Sequence, residues 1–82
     1  MNYRFVIEQT AAETIFALRA RERRLLQTAC AVVARDPHRT PDLEEIGSDG
    51  RRHLTRFFGP FSVTYWVDDA AKEVRIALIF CD

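Results

Sequence analysis

Two-residue alternation in the C-terminal third is the feature that most restricts what this chain can fold into. Between positions 61 and 67, Phe61, Val63, Tyr65 and Val67 fall on one side of an extended backbone. Ser62, Thr64 and Trp66 fall on the other, which is the period of a half-buried strand. Gly59-Pro60 before this stretch and residues 68–72 after it are turn sequences. Strands are therefore expected over 51–58, 61–67 and 73–80, joined as a meander. The last of these, Val74-Arg75-Ile76-Ala77-Leu78-Ile79-Phe80, is apolar nearly throughout. That pattern predicts a central strand with little exposure on either face.

A meander of this composition needs a second layer, and the N-terminal half supplies it. Residues 2–8 alternate Tyr3, Phe5 and Ile7 against Arg4, Val6 and Glu8, which predicts another strand. Thr10-Ala11-Ala12-Glu13 then matches a capping box, so a helix is expected to start there, with Ala11, Ile15 and Leu18 as its apolar stripe. Four arginines and one glutamate occupy residues 19–24, followed by a second stripe of Leu25, Leu26, Ala29, Val32 and Val33. A polar junction near 19–21 lets two helices fold back as an antiparallel hairpin. Asp36-Pro37 ends the second helix, because the residue before proline avoids helical angles. Residues 38–50 read as a turn-rich loop, with Leu43 and Ile46 expected to pin it to the core.

The expected class is α+β, in the order β-α-α-β-β-β. A helical hairpin covers one face of a four-stranded, mainly antiparallel sheet within a single domain over 1–82. Its other face stays open. A chain of 82 residues buries only about 60% of its unfolded surface, so its stability is modest. A hydrophobic content of 48% nevertheless provides a core and argues against disorder.

Twelve Lys and Arg balance twelve Asp and Glu, which argues against a surface held on nucleic acid by many phosphate contacts. No apolar run approaches the roughly 20 residues of a membrane span, and no leader-like segment precedes the first strand. Cys30 and Cys81 sit in apolar runs without CxxC spacing, so buried thiols are expected rather than a disulfide or metal site. No cofactor or metal is expected, and a reducing cytoplasm fits this cysteine usage.

Three segments together resemble the RelE/ParE family of bacterial toxins: "YRFVIEQTAAETIFAL", the helix end "VVARDP", and "RRHLTRFFGPFSVTYWVDDAAKEVRIALI". The resemblance implies a toxin of a type II toxin–antitoxin module (a plasmid-stabilisation and growth-regulation system), held inactive by a cognate antitoxin. RelE-like members cleave messenger RNA at the ribosome, whereas ParE-like members inhibit DNA gyrase. RelE-like nucleases usually carry an arginine after the aromatic that opens the middle strand, where this chain has Ser62 after Phe61. They also carry a basic residue or histidine beyond the final strand, where this chain ends Phe80-Cys81-Asp82. The first meander strand keeps Arg51, Arg52, His53 and Arg56.

Cleavage through a 2′-hydroxyl needs a proton carrier and cations for the crowded phosphate. The catalytic candidates are His53, the one neutral-pH proton carrier expected on the open sheet, with Arg52 and Arg56 as phosphate holders. The competing account is a solvated edge strand whose charges discourage aggregation. Arg51 and Trp66 are candidates for RNA or partner binding, the indole either stacking on a base or anchoring an antitoxin segment. Half-burial under the loop before Arg51 explains Trp66 equally well, and His38 reads as a loop residue. Two functional readings stay open. One is a toxin acting by protein binding or through a weakened RNA-cleaving site. The other is a catalytically inactive interaction domain, and a homodimer is compatible with either.

Overall fold

The computed structural model describes residues 3–81. The expectations placed on Asn2 and Asp82 fall outside these described residues. In chain order the elements are β1 (Arg4–Ile7), α1 (Gln9–Ala17), α2 (Ala20–Arg35), β2 (Leu43–Ile46), β3 (Arg52–Phe58), β4 (Phe61–Asp68) and β5 (Glu73–Cys81). They build an α+β fold in which both helices cover one face of a single mixed sheet. The sheet order is β1-β5-β4-β3-β2, with β1 parallel to β5 and the other pairs antiparallel.

The sheet has five strands rather than four. Leu43–Ile46, expected as loop, pairs antiparallel with β3, with Leu43 opposite Thr55 and Ile46 opposite Arg52. Leu-Glu-Glu-Ile has no alternation to announce a strand, so the pairing partner imposes the extended form. The Asp42 carboxylate fixes the entry by accepting the Phe57 backbone N–H at 2.8 Å. Leu43 and Ile46 do not pin this segment to the core, since they are 57% and 65% exposed.

Helix α1 also begins earlier than its capping-box match indicates. Glu8 is the N-cap and makes no side-chain cap, while its own N–H donates to the Ile76 carbonyl at 2.9 Å. That bond ties the end of β1 to β5 and starts the helix directly, which leaves Thr10 inside the first turn. A reciprocal half of the motif occurs instead at α2, where the Glu22 carboxylate accepts the Arg19 N–H at 3.0 Å. Arginine has no acceptor to complete the box. Leu18 and Arg19 are both extended, with ψ of 157° each, so the helices part at the start of the expected polar junction.

Leu26, Ala29, Cys30, Val33 and Ala34 form the buried stripe of α2. Leu25, expected to belong to it, lies one position off the stripe and is 55% exposed. Burial pushes the Cys30 thiol up to about 11, so it packs as a neutral, apolar group. The stripe meets Leu54, Phe61, Val63, Tyr65, Val74, Ile76 and Ile79 from the sheet, with Tyr3, Phe5 and Ile7 closing the β1 side.

The last strand is central in the sheet but open on one face, contrary to its near-continuous apolar pattern. Tyr65 pairs with Ile76 while the preceding Thr64 pairs with Leu78, so Ala77 is a bulge. The extra residue resets the alternation: Val74, Ile76 and Ile79 are buried, whereas Leu78 and Phe80 are 47% and 62% exposed. Among the described residues, no helix is long and apolar enough to cross a membrane.

Candidate functional site

The face away from the helices has a graded chemistry that follows from strand register. His53 lies opposite Glu45 on β2, Trp66 opposite Arg75 on β5, and Val6 opposite Arg75 on β1. The next row toward the β3–β4 turn joins Leu43, Thr55, Thr64 and Leu78 across four strands, with the two threonine hydroxyls 2.8 Å apart. The row nearest the turn is Phe57, Ser62 and Phe80. One end of the face is therefore charged and aromatic, and the other is apolar.

The candidates read from the sequence are distributed over both faces. His53 is on the open face, while Arg52 and Arg56, one and three residues away along the same strand, point to the helix side. The histidine Nε2 lies 3.2 Å from both carboxylate oxygens of Asp49. Arg52 is held by a charge-assisted pair with Glu44, at 2.6 Å to Oε2, and that carboxylate raises its pKa. Arg56 is 8% exposed, its guanidinium carbon 5.1 Å from the Phe58 ring centroid, and its Nη1 has no hydrogen-bond partner. These three side chains do not converge on one reacting position.

Arg51 and Trp66 do come together. The Arg51 guanidinium carbon sits 4.0 Å from the indole ring centroid, and Arg75 approaches the same ring at 5.9 Å. Asp49 holds Arg51 in place by accepting its backbone N–H at 2.9 Å. That backbone bond is the main cause that lowers the Asp49 pKa, opposed by partial burial and reinforced by His53. Gly47 makes the arrangement sterically possible, since a Cβ there would fall 2.7 Å from the His53 ring. Gly47→Ala is expected to break the His53–Asp49 contact while leaving the core intact. Loss of the pair from the NMR imidazole shifts, without a change in the unfolding midpoint beyond a few degrees, is the check.

A cavity of about 500 Å³ opens beside this cluster, lined by His38, Arg51, Arg52, Trp66, Asp68 and Asp69 among others. It exposes a second cluster, one that no sequence spacing announces. The Tyr3 hydroxyl donates to Asp69 in a short hydrogen bond, and His38 Nε2 lies 2.9 Å from the same carboxylate oxygen. Lys72 Nζ lies 5.3 Å from the Tyr3 ring centroid. The three groups come from the start of β1, the α2–β2 connection and the β4–β5 turn, so no local spacing links them.

The Tyr3 hydroxyl is the largest cause of a lowered Asp69 pKa, with partial burial opposing it and His38 and Lys72 adding to it. A carboxyl whose folded pKa is depressed stabilises above its unfolded pKa, and that contribution fades as pH falls through the folded value. Tyr3→Phe is expected to move the Asp69 titration back upward, toward the ordinary carboxylate range. Carbon-detected NMR of the carboxyl group reads this directly, and an unmoved titration would discount the bond.

The cations of this region are matched locally: Arg51 with Asp49, Arg52 with Glu44, and His38 with Asp69. Among the described residues, no group of three His, Cys, Asp or Glu could hold a metal ion. The open face thus offers a polar, aromatic end and an apolar end suited to contact with a protein surface.

No protein-family model and no curated protein sequence matches the chain. Solved structures do. A chain of the RelBE2 toxin–antitoxin complex from Mycobacterium tuberculosis superposes with a TM-score of 0.81 at 19% identity, over 100% of both chains. A chain of the archaeal RelE–RelB complex from Pyrococcus horikoshii OT3 superposes at 0.74 and 17% identity, covering 99% of this chain and 96% of that one. The fold is RelE-like, and at these identities the likeness is one of fold.

Proposed function

We propose that the chain is the toxin component of a type II toxin–antitoxin module and that it acts by binding protein. The observation carrying this reading is the end-to-end match to chains solved within toxin–antitoxin complexes, with no part of either chain left over in the RelBE2 case. The open sheet face agrees with it. Leu43, Phe57, Leu78 and Phe80 are 47–62% exposed on one side of the sheet, a patch of the kind that marks an interaction surface.

A protein-binding mode is favoured over RNA cleavage by the placement of the catalytic candidates. A general base and its phosphate-holding cations must reach one reacting centre. Here the plane of the sheet separates His53 from Arg52 and Arg56, and carboxylates engage the first two. DNA gyrase is the protein target that the family resemblance supplies, and a cytoplasmic location goes with it.

The test is controlled induction in a bacterial host. Growth arrest is expected, relieved by co-expression of an antitoxin encoded beside the gene, with intact messenger RNA and reduced supercoiling by purified gyrase. The variants His53→Ala and Arg52→Ala should leave the arrest unchanged. Cleaved messages that disappear in His53→Ala would instead restore the nuclease reading. Normal growth after induction, with the folded protein present, would favour an inactive interaction domain.

A further inference from the structure

Three side chains from distant parts of the chain meet at the rim of the cavity beside Arg51 and Trp66, and neither the core nor the toxin reading uses them. Tyr3 precedes β1, His38 follows α2, and Asp69 stands in the β4–β5 turn. Backbone contacts fix their approach. The Arg4 N–H donates to the Lys72 carbonyl at 3.1 Å, which sets the start of β1 beside that turn. Asp68 shapes the turn itself by accepting the Ala71 N–H at 3.1 Å. After α2, the Arg39 N–H donates to the Asp36 carbonyl at 3.3 Å and curls the chain around His38. The imidazole then meets the Tyr3 ring edge-on, with centroids 5.7 Å apart.

The three groups bring their ligand-forming atoms to one point. His38 Nε2 lies 2.9 Å from Asp69 Oδ1 and 3.3 Å from the Tyr3 hydroxyl, and the short Tyr3–Asp69 hydrogen bond closes the triangle. Both contacts to Asp69 fall on the same carboxylate oxygen. Ligand atoms around a zinc-sized ion, with bonds of about 2.0–2.2 Å, stand roughly 3.0–3.5 Å from one another. Imidazole, carboxylate and phenol form a nitrogen and oxygen set without a thiol, which suits a divalent ion of the zinc type rather than a soft monovalent one. The cavity of about 500 Å³ borders both His38 and Asp69, so water can complete the shell. Arg51 and Arg52, the arginines of that cavity, are engaged by Asp49 and Glu44. Lys72, with Nζ 5.3 Å from the Tyr3 ring centroid, is the charge that opposes a cation here.

We infer that Tyr3, His38 and Asp69 bind a divalent transition-metal ion, zinc or one of its size and preference. The imidazole supplies Nε2 and the carboxylate Oδ1. The ion displaces the phenolic proton, which leaves to solvent, and the phenolate oxygen becomes the third protein ligand. His38 and Asp69 are ligands of the usual kinds, and the phenol makes up the number that an open site with bound water needs. Bound there, the ion ties β1, the α2–β2 connection and the β4–β5 turn at a single point. The inference stands apart from the toxin reading, because it uses none of the apolar row on the open face and needs no protein partner.

The experiment is an NMR titration of the full chain with zinc chloride, and in parallel with magnesium chloride. Zinc is expected to move the His38 ring nitrogens and the amides of Tyr3 and Asp69, saturating at one ion per chain. Magnesium, a hard ion that gives up its water reluctantly, is expected to leave them in place. Tyr3→Phe and Asp69→Asn should each weaken zinc binding by about tenfold or more, since even the groups that orient a ligand are worth that much. Lys72→Gly should tighten it, because it removes the opposing charge at a backbone position, φ 56°, that glycine adopts freely. The opposite signs separate loss of a ligand from loss of fold. Shifts at His38 that do not saturate, an affinity that Tyr3→Phe leaves unchanged, or a Lys72→Gly variant that binds no tighter would overturn the inference. So would zinc shifts centred on His53, whose Nε2 faces Asp49, or on Cys81.

Discussion

Tyr65→Ala is expected to lose about 3–5 kcal/mol of stability, the largest effect of any single substitution considered. Tyr65 is fully buried at the middle of β4, opposite Leu54 on β3 and Ile76 on β5. Removing its ring leaves a cavity between the sheet and the α2 stripe that rigid strands cannot collapse to fill. Natural domains are stable by about 0.05–0.15 kcal/mol per residue, so a chain of 82 residues would lose much of its margin. Tyr65→Phe is expected to go the other way. The Tyr65 hydroxyl is buried without a well-formed hydrogen bond; burial is the main cause of its raised pKa, and the Arg56 guanidinium opposes that rise. Taking away an unsatisfied buried hydroxyl of that kind relieves about 1–3 kcal/mol of desolvation while keeping the ring. Urea unfolding of the two variants tests both signs at once. A Tyr65→Phe variant less stable than the parent by more than about 1 kcal/mol would mean that the hydroxyl is bonded after all, with Arg56 the group placed to do so.

The contrast within β4 also explains how far the sequence could be read. Phe61, Val63 and Tyr65 are buried as their alternation predicts, and Ser62, Thr64 and Trp66 share the other face. Alternation reports a face wherever a strand is half-buried, because each side chain has a single environment to satisfy. It fails at β5, where one bulged residue changes the parity and a run of apolar side chains conceals the change. It fails again at β2, whose four residues extend because β3 offers an edge and not through any preference of their own. Helix starts were less legible still. The hydroxyl of Thr10 suits a cap, yet the Glu8–Ile76 backbone bond sets where the chain turns helical.

The candidate site divides in the same way. Arg51 and Trp66 stack on the open face, a contact across two strands that strand parity allows and no local spacing announces. The facing of His53 away from Arg52 and Arg56 follows from strand parity, so a catalytic grouping of the three required a strand irregularity that β3 does not have. Tyr3, His38 and Asp69 meet only because β1 is inserted beside β5 in parallel, a pairing that sequence order does not reveal.

The second large effect concerns binding rather than folding. The double variant Phe57→Asp/Phe80→Asp is expected to abolish the partner complex while sparing the fold. The two rings flank Ser62 in one cross-strand row and are 55% and 62% exposed, so neither contributes much to the core. Aromatic anchors at the centre of an interface typically account for at least about 2 kcal/mol each, and a tenfold change in affinity is about 1.4 kcal/mol. Losing both should weaken the complex by at least about a hundredfold, and two carboxylates placed in an apolar contact add a desolvation penalty. If a short reading frame adjoining the gene encodes an antitoxin, calorimetry with that purified protein measures this, and circular dichroism checks that the variant keeps its β content. An affinity unchanged within threefold would move the interface off the open face. Retention of growth arrest by a variant that no longer binds antitoxin would separate the toxic surface from the neutralising one. In that outcome the charged end of the face, around Arg51, Trp66 and Arg75, becomes the surface that meets the target, because it is the part of the open sheet that these substitutions leave untouched.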